Sequence, residues 1–208
     1  MEAVLNKPVK SARKAKGDGH LRRIEILEAA ERIFVAEGYD GATIRKIADE
    51  VGVSSTALYM HFRDKDEILH EICLAAVQTL LQQNIQFAAM PADAVTRLRL
   101  MLQAYMRMGL EHPNAYLRGY CAPERPGAPA ATAQAAQQCY ATYAGVVHEI
   151  AAEGRLRNGD ADIAAQALWA ACHGLVALMI MRPNVDWAPA DELTSLLLEG
   201  LLHGLVAD

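Results

Sequence analysis

The segment GVSSTALYMHFRDKDEIL, residues 52–69, places several long polar side chains close together after a pair of serines. Tyr59, His61, Arg63 and Lys65 lie within seven residues, and a hydrophobic core needs none of their polar tips. Phenol, imidazole, guanidinium and ammonium groups all donate hydrogen bonds to phosphate oxygens. The chemistry that this spacing favours is therefore the binding of a phosphate-bearing polymer.

Short helices are needed to position these groups, and the flanking residues predict them. Thr43 is expected to cap a helix that reaches Val51, and Gly52 is expected to break it. Ser54 would then cap a third helix that extends to about Phe62. Two short helices joined by a tight turn are typical of a helix-turn-helix, in which the second of the pair enters the major groove of DNA.

The third helix would begin with small side chains that allow a close approach to base edges. The hydroxyls of Ser55 and Thr56 can bond to several bases, and a Thr methyl can contact thymine. Tyr59 and His61 follow one turn later, where they could reach phosphate, and Lys65 could reach another. The alternatives are a buried tyrosine at position 59 and ordinary solvated side chains at positions 61 and 65.

Charge separates the front of the chain from the rest. The 208 residues carry a net charge of −5, yet residues 1–65 carry +2 and the first 23 residues carry +5. Every lysine lies at or before Lys65. Residues 1–20 have few apolar anchors and are expected to form a flexible basic arm. The asymmetry indicates that only the front end meets a polyanion.

Apolar residues recur at helical spacing along the whole remainder, which predicts an all-α chain of about nine helices with no sheet. The expected helices are about 21–38, 43–51, 54–62, 64–87, 93–109, one from Pro113, 130–153, 160–182 and 191–206. They would form a helix-turn-helix domain over residues 21–65 and a larger helical domain over residues 66–208. Leu58 and Phe62 are assigned to the core of the first domain.

Residues 43–69, TIRKIADEVGVSSTALYMHFRDKDEIL, resemble the DNA-binding module of the TetR family of one-component transcriptional regulators, and the likeness extends back to about residue 22. The LY-x-HF-x-x-K spacing is intact. The resemblance implies a dimeric, all-α repressor with an N-terminal three-helix domain and a C-terminal domain for ligand binding and dimerisation. It places the DNA contacts on Thr43, Arg45, Ser55, Thr56, Tyr59, His61 and Lys65.

Two of these positions bear on the choice of DNA sequence. Arg45 is the best candidate for a guanine contact, because its guanidinium matches two acceptors on that base. Family members often carry Lys or Gly where this chain has Ser55 and Thr56, so the operator sequence stays open.

The C-terminal half carries a second resemblance. LWAACHGLVAL, residues 168–178, and YMRMGLEHPNAYLRGY, residues 105–120, resemble one subgroup of TetR C-terminal domains with a W-x-x-x-H-G pattern. The resemblance implies a four-helix dimer interface, on which we place Leu168, Ala171, Leu175, Leu178, Leu197, Gly200, Leu201 and Gly204. An intramolecular core is the alternative for this apolar stripe.

A ligand pocket is also implied by the family, and aromatic and flexible apolar residues suggest its lining. The candidates are Met101, Tyr105, Met108, Tyr116, Tyr120, Tyr140, Tyr143, Trp169 and His173. For any one of them, ordinary core packing is the alternative. The expected ligand is a small apolar or aromatic molecule.

Catalysis, metals and membranes are not expected. The chain shows no glycine-rich phosphate loop and no paired carboxylates, and Cys172 and His173, as helix neighbours, point in different directions. The four cysteines lack C-x-x-C spacing, so neither zinc nor another cofactor is predicted. The longest apolar run, residues 167–181, is short for a membrane span and fits a buried helix better. The cysteines are expected to be reduced, buried thiols in a cytoplasmic protein.

The sequence therefore predicts a repressor that a small ligand releases from a palindromic DNA operator. Two other functions stay open. One is an enzyme or small-molecule-binding protein whose front module is only structural. The other is a ligand-independent DNA-organising protein that uses the basic arm without a preferred site.

Overall fold

The computed structural model describes residues 19–118, 130–157 and 159–207. Nearly all of the expected basic arm, and Tyr120 of the expected pocket, lie outside these ranges. The described residues form nine α-helices and no strand: α1 (Gly19–Gly41), α2 (Ile44–Val51), α3 (Ser55–Tyr59), α4 (Lys65–Ala88), α5 (Ala94–Glu111), α6 (Pro113–Tyr116), α7 (Ala130–Ala152), α8 (Ala161–Met181) and α9 (Ala190–Leu205). The all-α prediction is confirmed.

The chain divides into two compact units, and the division follows Glu71 within α4. It lies six residues beyond the boundary expected from the sequence. Each unit has its own core, so each can be described by itself.

The caps of the first unit are local features, and they form as the sequence predicts. The Thr43 hydroxyl accepts a hydrogen bond from the Lys46 N–H at 3.2 Å and so begins α2. Gly52 ends that helix in the left-handed region, with a φ of 74° that favours glycine. The Ser54 hydroxyl then accepts from the Ala57 N–H at 3.1 Å and begins α3.

The third helix is shorter than expected, because it ends at Tyr59 instead of near Phe62. The Met60 N–H bonds to the Ala57 carbonyl at 3.3 Å, and the His61 N–H bonds to the Leu58 carbonyl at 2.9 Å. These three-residue steps tighten the backbone and stop the α-helix. His61 therefore lies in the turn after α3 and not one helical turn along it.

The core of the first unit is small and fully apolar. Its fully buried large side chains are Ile26, Phe34, Ile47, Leu58, Phe62, Ile68 and Leu69. Leu58 and Phe62 are 0% and 1% exposed, which confirms their assignment. Because these residues face inward from α3 and the turn after it, the opposite side of α3 is left to solvent.

The second unit packs α5 against α6, α7, α8 and α9. The helices approach most closely at Gly109, where a Cβ atom would lie 2.6 Å from a Val176 methyl and 2.8 Å from the Tyr116 ring. Those distances are shorter than a real Cβ contact allows. Only glycine therefore permits α5 to approach α6 and α8 this closely.

Candidate nucleic-acid interface and aromatic cluster

The outer face of α2 presents Arg45 to solvent. Ile47 and Ala48 are buried on the inner face, so Arg45 and Asp49 lie outside, with side chains 87% and 72% exposed. Their closest charged atoms are 3.8 Å apart, and an ion pair this exposed contributes little. The guanidinium of Arg45 is therefore available for another partner.

The outer face of α3 presents a second group of predicted contact residues. Thr56 is exposed, Ser55 is half-buried, and Tyr59 is 56% exposed, so the buried alternative for Tyr59 does not hold. Met60 follows with 83% exposure, the highest value among the exposed large apolar side chains. The exposed side of α3 and the residue after it therefore offer hydroxyl, phenol and thioether groups, and Thr43, at the start of α2, is also exposed.

Lys65 is bound within its own unit. Its ammonium donates hydrogen bonds to the carbonyls of Tyr39 at 2.9 Å and Ala42 at 3.3 Å. It also lies 4.1 Å from the centre of the Tyr39 ring, a cation–π contact. Two of its three N–H donors thus hold the end of α1 against the start of α4, a role that its position in the sequence did not indicate.

Arg23 is a functional support that sequence reasoning missed. Its guanidinium donates to both carboxylate oxygens of Glu71 and to the backbone carbonyl of His61. It also lies over the Phe62 ring, 4.1 Å from the ring centre. Arg23 therefore joins α1 to the turn after α3, and it supports the predicted contact surface from behind. The sequence holds no signal for this pairing, because Arg23 and Glu71 are 48 residues apart.

The start of α4 is capped next to this surface. The Asp64 carboxylate accepts from the Glu67 N–H at 2.8 Å, which is one half of a capping box. The Glu67 carboxylate in turn accepts from the Arg63 N–H at 2.6 Å, one residue earlier than the usual partner. The hydrogen bond from Glu67 holds the pKa of Asp64 below its usual value, so this cap is charged near neutral pH.

Six of the nine predicted pocket residues meet in one aromatic cluster within the second unit. We call this set the aromatic cluster: Tyr105, Tyr116, Tyr140, Tyr143, Trp169 and His173. Successive ring centres lie 5.3–6.1 Å apart, the range of aromatic packing. Met101 and Met108 are buried in the core of the same unit. The cluster joins α5, α6, α7 and α8.

Hydrogen bonds connect the polar tips of the cluster. The Trp169 indole N–H donates to the Tyr105 hydroxyl at 3.1 Å, and that hydroxyl lies 3.0 Å from the Tyr116 hydroxyl. Both phenols lie within hydrogen-bond distance of His173 Nδ1, at 3.0 and 2.7 Å. Burial lowers the pKa of His173, which favours the neutral ring. We assign Nδ1 as the acceptor and place the proton on Nε2.

The phenol of Tyr143 and the thiols of Cys139 and Cys172 are also neutral. Tyr143 donates to the Ala165 carbonyl, and burial raises the pKa of its phenol. Burial raises the pKa of the Cys139 thiol to about 11 and that of the Cys172 thiol to about 12. These thiols are unreactive at neutral pH, because the thiolate is the nucleophile. The aromatic cluster is therefore an uncharged environment with several hydrogen-bonding groups.

A separate cleft of about 440 Å³ lies between α5 and α9. Six of its eight lining residues are polar, and four of the eight are exposed: Gln103, Arg107, Leu110, Glu111, Ala190, Asp191, Thr194 and Ser195. None of the predicted pocket residues that the structure describes borders it. We therefore keep the aromatic cluster, and not this cleft, as the candidate ligand site.

The predicted dimer stripe contains one residue that the fold excludes. Leu168 is 1% exposed and packs in the core of its own protomer, so it has no surface left for a partner. Leu178 is 51% exposed, whereas Leu175 and Leu201 are half-buried against the same core. Ala171 and Leu197 are also half-buried.

Helix α9 carries two open glycines. A Cβ atom placed on Gly200 or Gly204 would meet no other atom within 4 Å, so the protomer itself does not require glycine there. Helix α8 is long and apolar enough to cross a membrane by length and composition, a test that core helices also pass. Only 28% of its most apolar window is buried. A large apolar face is thus left uncovered in the single chain.

The described residues contain no group of three or more His, Cys, Asp or Glu side chains that could hold a metal ion. The cysteines that are described, Cys73, Cys139 and Cys172, are buried and unpaired in disulfides. The Cys73 thiol donates to the Ala115 carbonyl at 2.9 Å. Sulfur in this part of the chain serves packing.

Known proteins with similar sequences are regulators of transcription. The chain is 48% identical over 48 residues to the HTH-type transcriptional repressor AcnR of Corynebacterium diphtheriae, covering 23% of this chain and 25% of that protein. It is 31% identical over 99 residues to the HTH-type transcriptional repressor KstR2 of Mycobacterium tuberculosis, covering 48% and 49%. The chain spans a quarter to about half of the length of these curated relatives.

Solved structures extend the likeness over nearly the whole chain. The TetR family transcriptional regulator PfmR from Thermus thermophilus superimposes with a TM-score of 0.70 at 25% identity, covering 89% of this chain and 98% of that one. The structure of KstR2 of Mycobacterium tuberculosis also gives a TM-score of 0.70, covering 96% and 98%, at 19% identity. The second comparison shows a shared fold alone.

Family descriptions match both units. Residues 26–72 match the bacterial regulatory proteins of the tetR family, and residues 98–201 match the tetracycline repressor-like C-terminal domain. The second match alone spans half of the chain. The chain therefore belongs to the TetR family of bacterial regulatory proteins.

Proposed function

We propose that this protein is a DNA-binding transcriptional repressor that acts in the cytoplasm as a homodimer on a palindromic operator. One observation carries the proposal: α2 and α3 form a capped helix-turn-helix whose inner side chains are buried and whose outer face exposes Arg45 and Tyr59. A fold that used this module only for packing would have no need of a weakly paired, exposed guanidinium on α2 and an exposed phenol on α3.

On the DNA side, α3 enters the major groove with Ser55 and Thr56 toward the base edges. Arg45 reads a guanine through two parallel hydrogen bonds, because its fork is exposed and weakly paired. Thr43, Tyr59, His61 and the third N–H of Lys65 contact backbone phosphates, and the basic arm of residues 1–20 adds charge. Phosphate contacts of this kind position the protein without reading sequence.

A dimer is needed because one short reading helix makes too few base contacts for a selective site. The exposed apolar face of α8 and α9 is the surface that we assign to it. It retains Ala171, Leu175, Leu178, Leu197, Gly200, Leu201 and Gly204 of the predicted stripe, without Leu168. The open glycines support this assignment, since they leave room for a helix from a second copy.

The ligand site that we propose is the aromatic cluster, together with Met101, Met108 and Tyr120. An uncharged lining suits a small apolar or aromatic molecule. Trp169 and His173 both belong to the hydrogen-bonded network, which supports placing the C-terminal half with the W-x-x-x-H-G subgroup. The ligand would favour a conformer in which the two helix-turn-helix modules of the dimer have the wrong spacing for the operator. It can shift the equilibrium between the two conformers only by its difference in affinity for them.

The test is to select bound sequences from random DNA with the purified protein. The proposal predicts one enriched motif with two inverted half-sites about one helical turn apart. An Arg45→Ala protein in parallel should lose preference at one base pair in each half-site. Binding without an enriched motif would favour the DNA-organising alternative. No binding at all would favour a ligand-binding protein with a structural front module.

A further inference from the structure

A buried amide on α4 is the starting observation. The segment QQNIQ, residues 82–86, carries four amide side chains, and Asn84 is the one that turns inward, at 4% exposure. Val77 and Leu80 on the same helix are also buried in the core of the second unit. An amide thus lies where an aliphatic side chain would be expected.

The hydrogen bonding of Asn84 is incomplete. Its Nδ2 atom donates to the Cys139 carbonyl at 3.5 Å, which is the outer limit for such a bond. Its Oδ1 atom is buried and has no partner in the described structure. The orientation is settled by the carbonyl, because turning the amide over would place two oxygens against each other. Leaving an acceptor buried and unsatisfied destabilises the folded state, because the atom has lost its hydrogen bond to water and gained none.

The position of Asn84 relates it to the aromatic cluster. Cys139, which receives its Nδ2, directly precedes Tyr140 and lies one helical turn before Tyr143. The Cys139 thiol donates to the Val77 carbonyl at 3.6 Å, so α4 and α7 are joined at this level. Tyr140 and Tyr143 pack edge to face, 5.7 Å apart. The unsatisfied acceptor of Asn84 is therefore held on α4 against the segment of α7 that also carries Tyr140 and Tyr143.

We propose that Asn84 is a ligand-binding residue whose Oδ1 accepts a hydrogen bond from a hydroxyl or N–H group on an otherwise apolar, uncharged ligand. The inference rests on the proposed ligand site and narrows its ligand class. A buried polar group that the protein itself leaves unpaired is satisfied when such a donor binds. It also gives selectivity, because an analogue without the donor leaves the acceptor unpaired.

The test compares p-cresol with toluene, which differ by one hydroxyl, by calorimetric titration of the full chain. The ratio of the two affinities should fall about fivefold in Asn84→Leu, because leucine has a similar shape and no acceptor. Leu80→Met, one turn earlier in the same core, should leave the ratio unchanged. If Asn84→Leu does not fold, the same ratio is measured in Asn84→Ala.

An unchanged ratio, or no binding of either compound to the wild-type protein, would overturn the inference. If a buried water, and not the ligand, bonds to Oδ1 of Asn84, the affinity ratio of p-cresol to toluene would be unchanged in the variant. The titration uses no DNA, so it is independent of the operator. If the protein selects no operator and the affinity ratio still falls in Asn84→Leu, the proposed regulatory role is wrong and the proposed ligand contact of Asn84 stands.

Discussion

At the scale of single residues, Arg45 is the side chain to which we assign the reading of the DNA sequence. We expect Arg45→Ala to weaken operator binding by about 1–3 kcal/mol and to relax the base preference at one position in each half-site. Its thermal unfolding should match that of the wild type, because the Asp49 pair is almost fully solvated. Arg32→Ala, which removes another exposed arginine of the first unit, is the control. Unchanged base preference in Arg45→Ala would remove Arg45 from the reading surface.

Lys65 differs from Arg45 in that its ammonium is held by two carbonyls and an aromatic ring. We expect Lys65→Met to lower the free energy of unfolding by about 1–2 kcal/mol, since the ends of α1 and α4 lose these contacts. Urea unfolding followed by circular dichroism measures this. The slope of log affinity against log salt should also fall by about one unit if the third N–H meets a phosphate. A variant with full stability and a lower slope would show that Lys65 acts only on DNA.

At the scale of elements, Gly109 sets the approach of α5 to α6 and α8. Gly109→Ala should destabilise the second unit by about 1–3 kcal/mol, because the added methyl overlaps Val176 and Tyr116. Gly145→Ala is a matched control, because Gly145 lies in the middle of α7 and an added Cβ atom would meet no other atom within 4 Å. It should stabilise the protein by up to about 1 kcal/mol through helix propensity. If both variants had the same melting temperature, the close approach at Gly109 would be disproved.

The cap of α5 predicts a dependence on pH. The Asp93 carboxylate accepts from Thr96, through its hydroxyl and its N–H, and from Arg155 at 2.9 Å. These bonds hold the pKa of Asp93 well below its usual range, with Thr96 as the largest cause. A lowered pKa stabilises the folded state above the unfolded value of about 4, and the contribution is lost as pH falls below it.

The check is to measure the unfolding free energies of the wild type and Asp93→Ala at several pH values. We expect the difference between them to be constant from about pH 7 to pH 5 and to shrink below about pH 4. Arg155→Ala should reduce the same difference, because it removes one of the partners of the carboxylate. A difference that stayed constant down to about pH 3 would mean that Asp93 does not stabilise α5 through its charge.

At the scale of the whole molecule, the exposed face of α8 and α9 predicts assembly. Leu178→Glu would bury an unpaired carboxylate in the interface, so it should cost several kcal/mol of association and yield monomers. Ile85→Glu is the control, because its side chain is exposed to a similar degree, 54% against 51%, and lies on α4. The mass of each variant in solution, measured by light scattering at micromolar concentration, distinguishes a monomer from a dimer. A Leu178→Glu protein that stays dimeric would place the interface elsewhere.

A structural feature could be predicted from the sequence when the residues that form it are close together along the chain. The caps at Thr43, Ser54 and Asp160 rest on residues three positions apart, so the sequence alone predicts them. The inward position of Leu58 follows from the period of a short helix, whereas Phe62 is buried from the turn after that helix. Local pattern and the family resemblance were sufficient for the helix-turn-helix.

Contacts between distant segments were not predictable in the same way. Helix α8 is apolar on the side that faces its own core and on the side that we assign to the dimer, so the sequence does not tell the two sides apart. Only the packing of α8 shows that Leu168 faces its own core. The roles of Lys65 and Arg23 depend on partners 23 to 48 residues away. Residue type was enough to predict the members of the aromatic cluster. Which of their polar groups bond to each other depends on how α5, α6 and α8 pack.

The most direct test of the central claim is the mass of the protein–DNA complex, measured by light scattering on a duplex carrying the selected motif. The account predicts two protomers for each palindromic site, and a single half-site should bind far more weakly under the same salt conditions. One protomer bound tightly to a full site, or equal affinity for a scrambled duplex, would contradict a dimeric reader of a specific operator.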